Sequence, residues 1–186
     1  MKAGVIEEAG HRPAALGFSL SYNSTIERAK QLFSTFAFKQ GGENKFLESI
    51  IVWLDVTAPR YWWQEADTYR VGTSKQSEST MHTITKRLLT SDDFEGGMGN
   101  NILEEMNYLI TMYQNNTTFG LNKAHYFLKI KKTLPEGFLQ RRIWMMSYKG
   151  LQNMYNQRHD HKLPEWQIFF SDVLCGIHHP EFIVKN

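Results

Sequence analysis

The run Ile50-Ile51-Val52-Trp53-Leu54-Asp55-Val56, closed three residues later by Pro59, constrains the fold more than any other stretch of this chain. β-Branched and aromatic residues dominate positions 46–56, which predicts a strand, and a proline cannot continue it as a central ladder partner. Residues 57–82 follow at once. They place Tyr61, Trp62, Trp63, Tyr69 and Arg70 among a dense set of hydroxyl, amide and carboxylate groups. Such a mixture is costly to bury unless its polar groups have partners. A bound polar ligand, a nucleotide with phosphate and base edges to satisfy, is the simplest partner.

The length, 186 residues, predicts a single domain over residues 1–186, large enough to bury a core without disulfides or a structural metal. With 21 basic and 19 acidic residues the overall field is nearly neutral, so no nucleic acid partner is expected. One cysteine, Cys175, excludes an internal disulfide framework and a Cys-rich zinc site, and fits a reducing cytoplasmic location. It reads as a buried thiol in an apolar helix rather than a nucleophile. No apolar run reaches the length of a membrane span, and no signal-peptide pattern opens the chain.

Periodicity predicts a mainly helical α+β fold. Apolar residues at Ile26, Ala29, Leu32, Phe33 and Phe36 mark a helix from Thr25, with caps available at Asn23-Ser24 and an end at Gly41-Gly42. Residues 101–113 and 121–130 read as helices joined by a polar loop at 114–118. Residues 138–157 read as one long helix entered through Leu134-Pro135-Glu136-Gly137, and 165–175 as the last helix. The Asp- and Gly-rich stretch 90–100 reads as a mobile loop.

Arg70 and Lys75, with the hydroxyls of Thr73, Ser74, Ser77, Ser79 and Thr80, suit a phosphate cradle, since guanidinium, ammonium and hydroxyl donors converge on anionic oxygens. A solvated loop accounts for the same composition. Trp62 and Trp63 suit either stacking on a flat ring or plugging a core. Lys149 and Asn153, four apart, share one helix face, and Arg158 lies just beyond; amides there match the mixed donor and acceptor edge of a base or flavin. His159-Asp160-His161 lacks the i, i+4 spacing of a helical zinc motif and no second cluster is evident, so no metal site is expected.

The arrangement resembles the flavin-dependent thymidylate synthases. Phe46-Leu47-Glu48-Ser49 and Ala58-Pro59 fall at that family's spacing, and Thr68-Tyr69-Arg70 followed by Val71-Gly72-Thr73 occupies the position of its Arg-His-Arg motif. Leu134-Pro135, and Asn153 followed five residues later by Arg158, match its second signature, with Lys131 and Lys149 where arginines are common. Thr68 and Tyr69 replace two residues of the triplet, and Ser49 replaces a flavin-side His. An ungapped alignment places Gln76 on the family's Glu; a two-residue insertion, preferred because it preserves the carboxylate, places Glu78 there, Thr80 on its Ser and His82 on its Arg.

The resemblance implies a flavin-dependent thymidylate synthase-like fold, helices on a mainly antiparallel sheet, assembled as a homotetramer with active sites between subunits. It implies reductive methylation of dUMP to dTMP by a flavin-dependent methyltransferase using FAD, NADPH and methylenetetrahydrofolate. Arg158 would act as the catalytic residue, binding the uracil edge. Arg70, Lys149 and Asn153 would hold cofactor, and Lys131, Ser77, Glu78, Ser79 and Thr80 the substrate. The altered triplet leaves two alternatives: modification of another kind, such as hydroxymethylation of a pyrimidine nucleotide, or a non-catalytic nucleotide-binding or assembly protein that has lost flavin.

Overall fold

Burial alternates strictly along residues 51–58: Val52, Leu54, Val56 and Ala58 are fully buried, while Ile51, Trp53, Asp55 and Thr57 are partly exposed. This is the period of a strand with one face in the core. The computed structural model describes residues 1–39, 41–115 and 122–185. In chain order these form β1 (Lys2–Ala9), α1 (His11–Ser21), α2 (Ile26–Phe36), β2 (Ile51–Pro59), α3 (Arg60–Ala66), β3 (Thr73–Ser77) and α4 (Thr80–Thr83). There follow α5 (Asn100–Asn115), α6 (Lys123–Thr133), β4 (Leu139–Ser147), α7 (Tyr148–Arg158) and α8 (Glu165–Gly176). Among the described residues the strands form a four-stranded antiparallel sheet in the order β1-β2-β4-β3, with helices packed on it. The α+β class expected from periodicity is the observed one.

The chain groups into two compact units, residues 1–56, 66–76 and 142–186, and residues 57–65 with 77–141. In the first, Phe33 and Phe46 stack with ring centroids 4.0 Å apart. Phe18 and Phe182 both stand edge-on to the pair, an arrangement that matches positive ring edges to negative ring faces. Gln152, buried beside them, donates to the carbonyls of Ala37 (3.0 Å) and Phe182 (2.8 Å). In the second, Met106, Leu109 and Ile110 of α5 pack with Tyr126 and Ile130 of α6. Their i, i+3, i+4 spacing gives α5 one apolar stripe.

Several expectations are corrected. Residues 138–157 are not one helix but strand β4 followed by α7. Leu, Gln, Arg and Met favour helix intrinsically, yet β4 sits between β2 and β3, and burial of Trp144 and Met146 at alternate positions outweighs that preference. The helix begins instead at Ser147, whose Oγ accepts from the Gly150 amide at 3.1 Å. Lys45–Glu48 is a 3-10 turn, not part of a strand, and β2 extends through Pro59.

The polar segment after β2 contains α3, β3 and α4. Helix α2 is capped by Thr25, whose Oγ1 accepts from Arg28 N at 3.2 Å, and ends before the glycines at Phe36. Stretch 90–100 is anchored: Thr90 and Asp93 form a capping box, Asp93 pairs with Arg87, and the Glu95 amide donates to Gly137 O. Cys175 is exposed, because α8 buries Trp166, Phe169, Phe170 and Val173 and the thiol lies off that stripe. Trp62 and Trp63 are buried and packed edge to face, with Trp63 Nε1 donating to Gln140 O at 2.9 Å; they plug a core. The polar loop expected at 114–118 and the expected helix start at Leu121 fall partly outside the described residues.

Gly10 joins β1 to α1 with φ +98°, and a Cβ there would lie 1.9 Å from the Ser49 carbonyl oxygen. Gly10→Ala therefore adds a left-handed penalty of about 1–2 kcal/mol to a backbone clash. A lower urea midpoint with an unchanged slope is expected; an unchanged midpoint would show that the turn relaxes freely.

Candidate functional site

The first unit encloses a cavity of about 890 Å³, bordered by the start of β2, the end of β4, the first turns of α7 and residues 71–73. Ile51, Val71 and Met145 supply apolar walls, and Asn153, Asn156 and Lys149 supply amides and a cation. Lys149 and Asn153 project together because they are one helical turn apart on α7. Among the described residues, Lys149 has no carboxylate partner. At Gly72, φ is +67° and the space a Cβ would occupy is open, so a ligand can approach the backbone closely. Apolar walls edged by amides suit a flat heteroaromatic ring with donors and acceptors on its rim, and the volume lies in the usual ligand-pocket range of about 300–1,000 Å³.

Beside this cavity, Arg70 and Asn153 line a smaller recess of about 300 Å³ with Thr68, Tyr69 and Gln157. The turn that carries Arg70 is held from below. Asp67 accepts from Arg142 Nη1 at 2.9 and 3.0 Å and lies 3.4 Å from Lys75 Nζ. Lys75 also donates to the carbonyls of Ala66 (2.9 Å) and Tyr69 (3.0 Å), and sits 4.5 Å over the Trp144 ring. Burial pushes its ammonium below the ordinary lysine range, against the opposing pull of Asp67. Lys75, read from sequence as part of a phosphate cradle, is thus a supporting cation turned inward. Arg70 is exposed, with Nε donating to Asp67 O at 3.3 Å.

Tyr69 links this turn to α7. Its hydroxyl donates to Gln157 Oε1 (3.0 Å) and accepts from Arg158 Nε (3.1 Å), while Gln157 Nε2 donates to Asn153 Oδ1 (3.2 Å). The Arg158 guanidinium lies 5.9 Å from the Tyr69 ring and 5.6 Å from the Trp166 ring, within the range of cation–π attraction. Arg70, Asn153 and Arg158 therefore belong to one neighbourhood, with Lys149 one turn further along α7.

The remaining expected residues lie in the second unit. Ser77 ends β3, the Glu78 amide donates to Arg141 O at 2.9 Å, and Gln140 Nε2 donates to Glu78 O at 2.9 Å. Ser79 precedes α4 without a side-chain cap bond, and Thr80 Oγ1 contacts Lys131 Nζ. Lys131 has no carboxylate partner among the described residues. Burial, and then the nearby Arg60, hold its ammonium below the ordinary value. Arg60 donates to Leu134 O at 3.0 Å and pairs with Glu136 at 3.2 Å. A half-buried lysine beside a second cation, next to hydroxyls, is suited to an anionic oxygen. Arg60 was missed from sequence; its place directly after Ala58-Pro59 was the available signal.

No protein-family model and no curated protein sequence matches the chain. Solved structures do. One of the flavin-dependent thymidylate synthase of Helicobacter pylori complexed with FAD and dUMP superposes with a TM-score of 0.74 at 13% identity, covering 100% of this chain and 98% of that one. Another structure of that enzyme with FAD and dUMP gives 0.72 at 15% identity over 92% and 93% of the two chains. The fold is that of the flavin-dependent thymidylate synthases.

Replacing Lys75 by Met removes one of two donors from each of the Ala66 and Tyr69 carbonyls, which keep the Tyr69 amide and the Thr73 hydroxyl, a loss of about 0.5–1.5 kcal/mol per hydrogen bond. Hydrogen exchange should accelerate across residues 66–73 in Lys75→Met and remain unchanged there in Arg70→Ala; equal protection in both variants would contradict the supporting role.

Proposed function

We propose that this protein is a flavin-dependent thymidylate synthase-like enzyme that methylates dUMP to dTMP with methylenetetrahydrofolate, FAD and NADPH. The observation that carries this reading is the cavity bearing Lys149 and Asn153 on the same helix as Arg158, within a fold shared with an enzyme solved with FAD and dUMP. Its walls fit an isoalloxazine: apolar faces, an amide edge and a glycine backbone open to close approach. Flavin, when bound, supplies the redox chemistry.

The chain's own residues bind and orient. Asn153 and Lys149 hold the ring edge, and Arg70 a phosphate of the cofactor. Arg158, held beside Tyr69 and Trp166, binds the uracil edge and stabilises negative charge as the base is activated. In the second unit Lys131, with Thr80 and the 77–79 segment, holds nucleotide phosphate. A lysine there supplies charge without the bidentate fork of arginine, so nucleotide affinity falls with added salt. The reading carries a homotetrameric assembly. Tyr69, standing within the altered triplet and bonded to Arg158, favours one second reading, transfer of a hydroxymethyl group to the same nucleotide.

Purified protein that takes up FAD and converts dUMP to dTMP, identified by mass in the presence of NADPH and methylenetetrahydrofolate, is the expected result. A hydroxymethylated product selects the second reading, and protein that takes up no FAD overturns both. Arg158→Ala should weaken dUMP binding in equilibrium dialysis by about 2 kcal/mol, the scale of a lost charged hydrogen bond. Unchanged affinity in the folded variant would remove Arg158 from the site.

A further inference from the structure

The Glu8 side chain is 1% exposed, yet among the described residues no lysine or arginine pairs with it. Its partners come from both ends of the first unit. Oε1 accepts from the Tyr148 hydroxyl and lies 3.4 Å from His11 Nε2; Oε2 accepts from the His178 amide at 2.8 Å and lies 2.8 Å from His178 Nδ1. His11 Nε2 is itself buried without a hydrogen-bond partner. One ligand atom from each of Glu8, His11 and His178 lies within 4.8 Å of the other two.

We propose that Glu8, His11 and His178 form a binding site for a divalent transition-metal ion of the zinc class. A carboxylate withdrawn from water needs a cation close by, and neutral imidazole nitrogens offer lone pairs rather than charge. A divalent ion satisfies all three groups at once. With ligand bonds of about 2.0–2.1 Å, tetrahedral coordination sets ligand atoms about 3.3 Å apart. The carboxylate meets the two imidazoles through different oxygens, Oε2 at 2.8 Å from His178 Nδ1 and Oε1 at 3.4 Å from His11 Nε2, both on the scale of that spacing.

Two imidazoles and one carboxylate suit zinc and its neighbours rather than magnesium or calcium, which prefer oxygen. Three protein ligands leave a fourth position for water. Tyr148 and the His178 amide, bonded to the carboxylate, provide the outer contacts that orient it. His178, 71% exposed, gives the ion a path in. Bound there, the ion ties the end of β1 and the start of α1 to the segment after α8.

The test titrates chelator-treated full-length protein with Co²⁺, read by the visible bands of tetrahedral cobalt, and with Zn²⁺ by calorimetry. One ion per chain and cobalt bands discharged by Zn²⁺ are expected. His178→Gln alters an exposed side chain and should leave circular dichroism unchanged, while His11→Gln tests the buried ligand. Each should weaken Zn²⁺ binding beyond the roughly 10–100-fold that loss of an outer contact costs, and Tyr148→Phe should fall within that range. His159→Gln, outside the cluster, should bind as the parent does. No tetrahedral cobalt spectrum, or binding unchanged in both His178→Gln and His11→Gln, overturns the site.

Discussion

Asp67 is the fixed point on which the first unit's candidate site depends. Its carboxylate takes both Arg142 from β4 and Lys75 from β3, and Lys75 in turn holds the Ala66 and Tyr69 carbonyls. The loop is thereby stitched to two strands. Surface ion pairs contribute little alone, but here both cations are largely buried and one lies over the Trp144 ring. What the cluster provides is placement: Tyr69 and Arg70 emerge from it in a fixed direction, and only then can Tyr69 reach α7.

The consequence appears at Arg158. A guanidinium held against two aromatic rings loses less freedom on binding a ligand than one extended into solvent. Tyr69, which departs from the resembling family's triplet, accepts from Arg158 Nε and also reaches Gln157, which reaches Asn153. Tyr69 therefore leaves no unfilled position in this turn. Its hydroxyl stands in a polar chain that runs from Arg158 through Gln157 to Asn153.

Strand β2 was legible from its run of β-branched and aromatic residues closed by Pro59, and α5 and α8 because their stripes repeat at helical spacing. The face shared by Lys149 and Asn153 followed from a separation of four. Strand β4 was not legible. Its residues are good helix formers, and their strand state is imposed by neighbours far away in sequence. The same limit hid the site's connections: Tyr69 and Gln157 are 88 positions apart, and Glu8 and His178 170 apart. Local pattern names residue types at a site; which of them meet is decided by topology.

Three charged clusters can be compared by what neutralises them. Asp67 is met internally by two permanent cations. Lys131 has the opposite character, a partly buried cation beside Arg60 with a hydroxyl but, among the described residues, no carboxylate of its own. Glu8 is the converse again, a buried carboxylate whose neighbours are a phenol and imidazoles. A fold selected for stability alone would pair such groups, because an isolated charge withdrawn from water costs several kcal/mol, on the order of what the whole domain has to spare. Asp67 shows that this chain can do so. Leaving Lys131 and Glu8 without permanent counter-charges is consistent with ligands supplying them, an anion at one and a metal cation at the other.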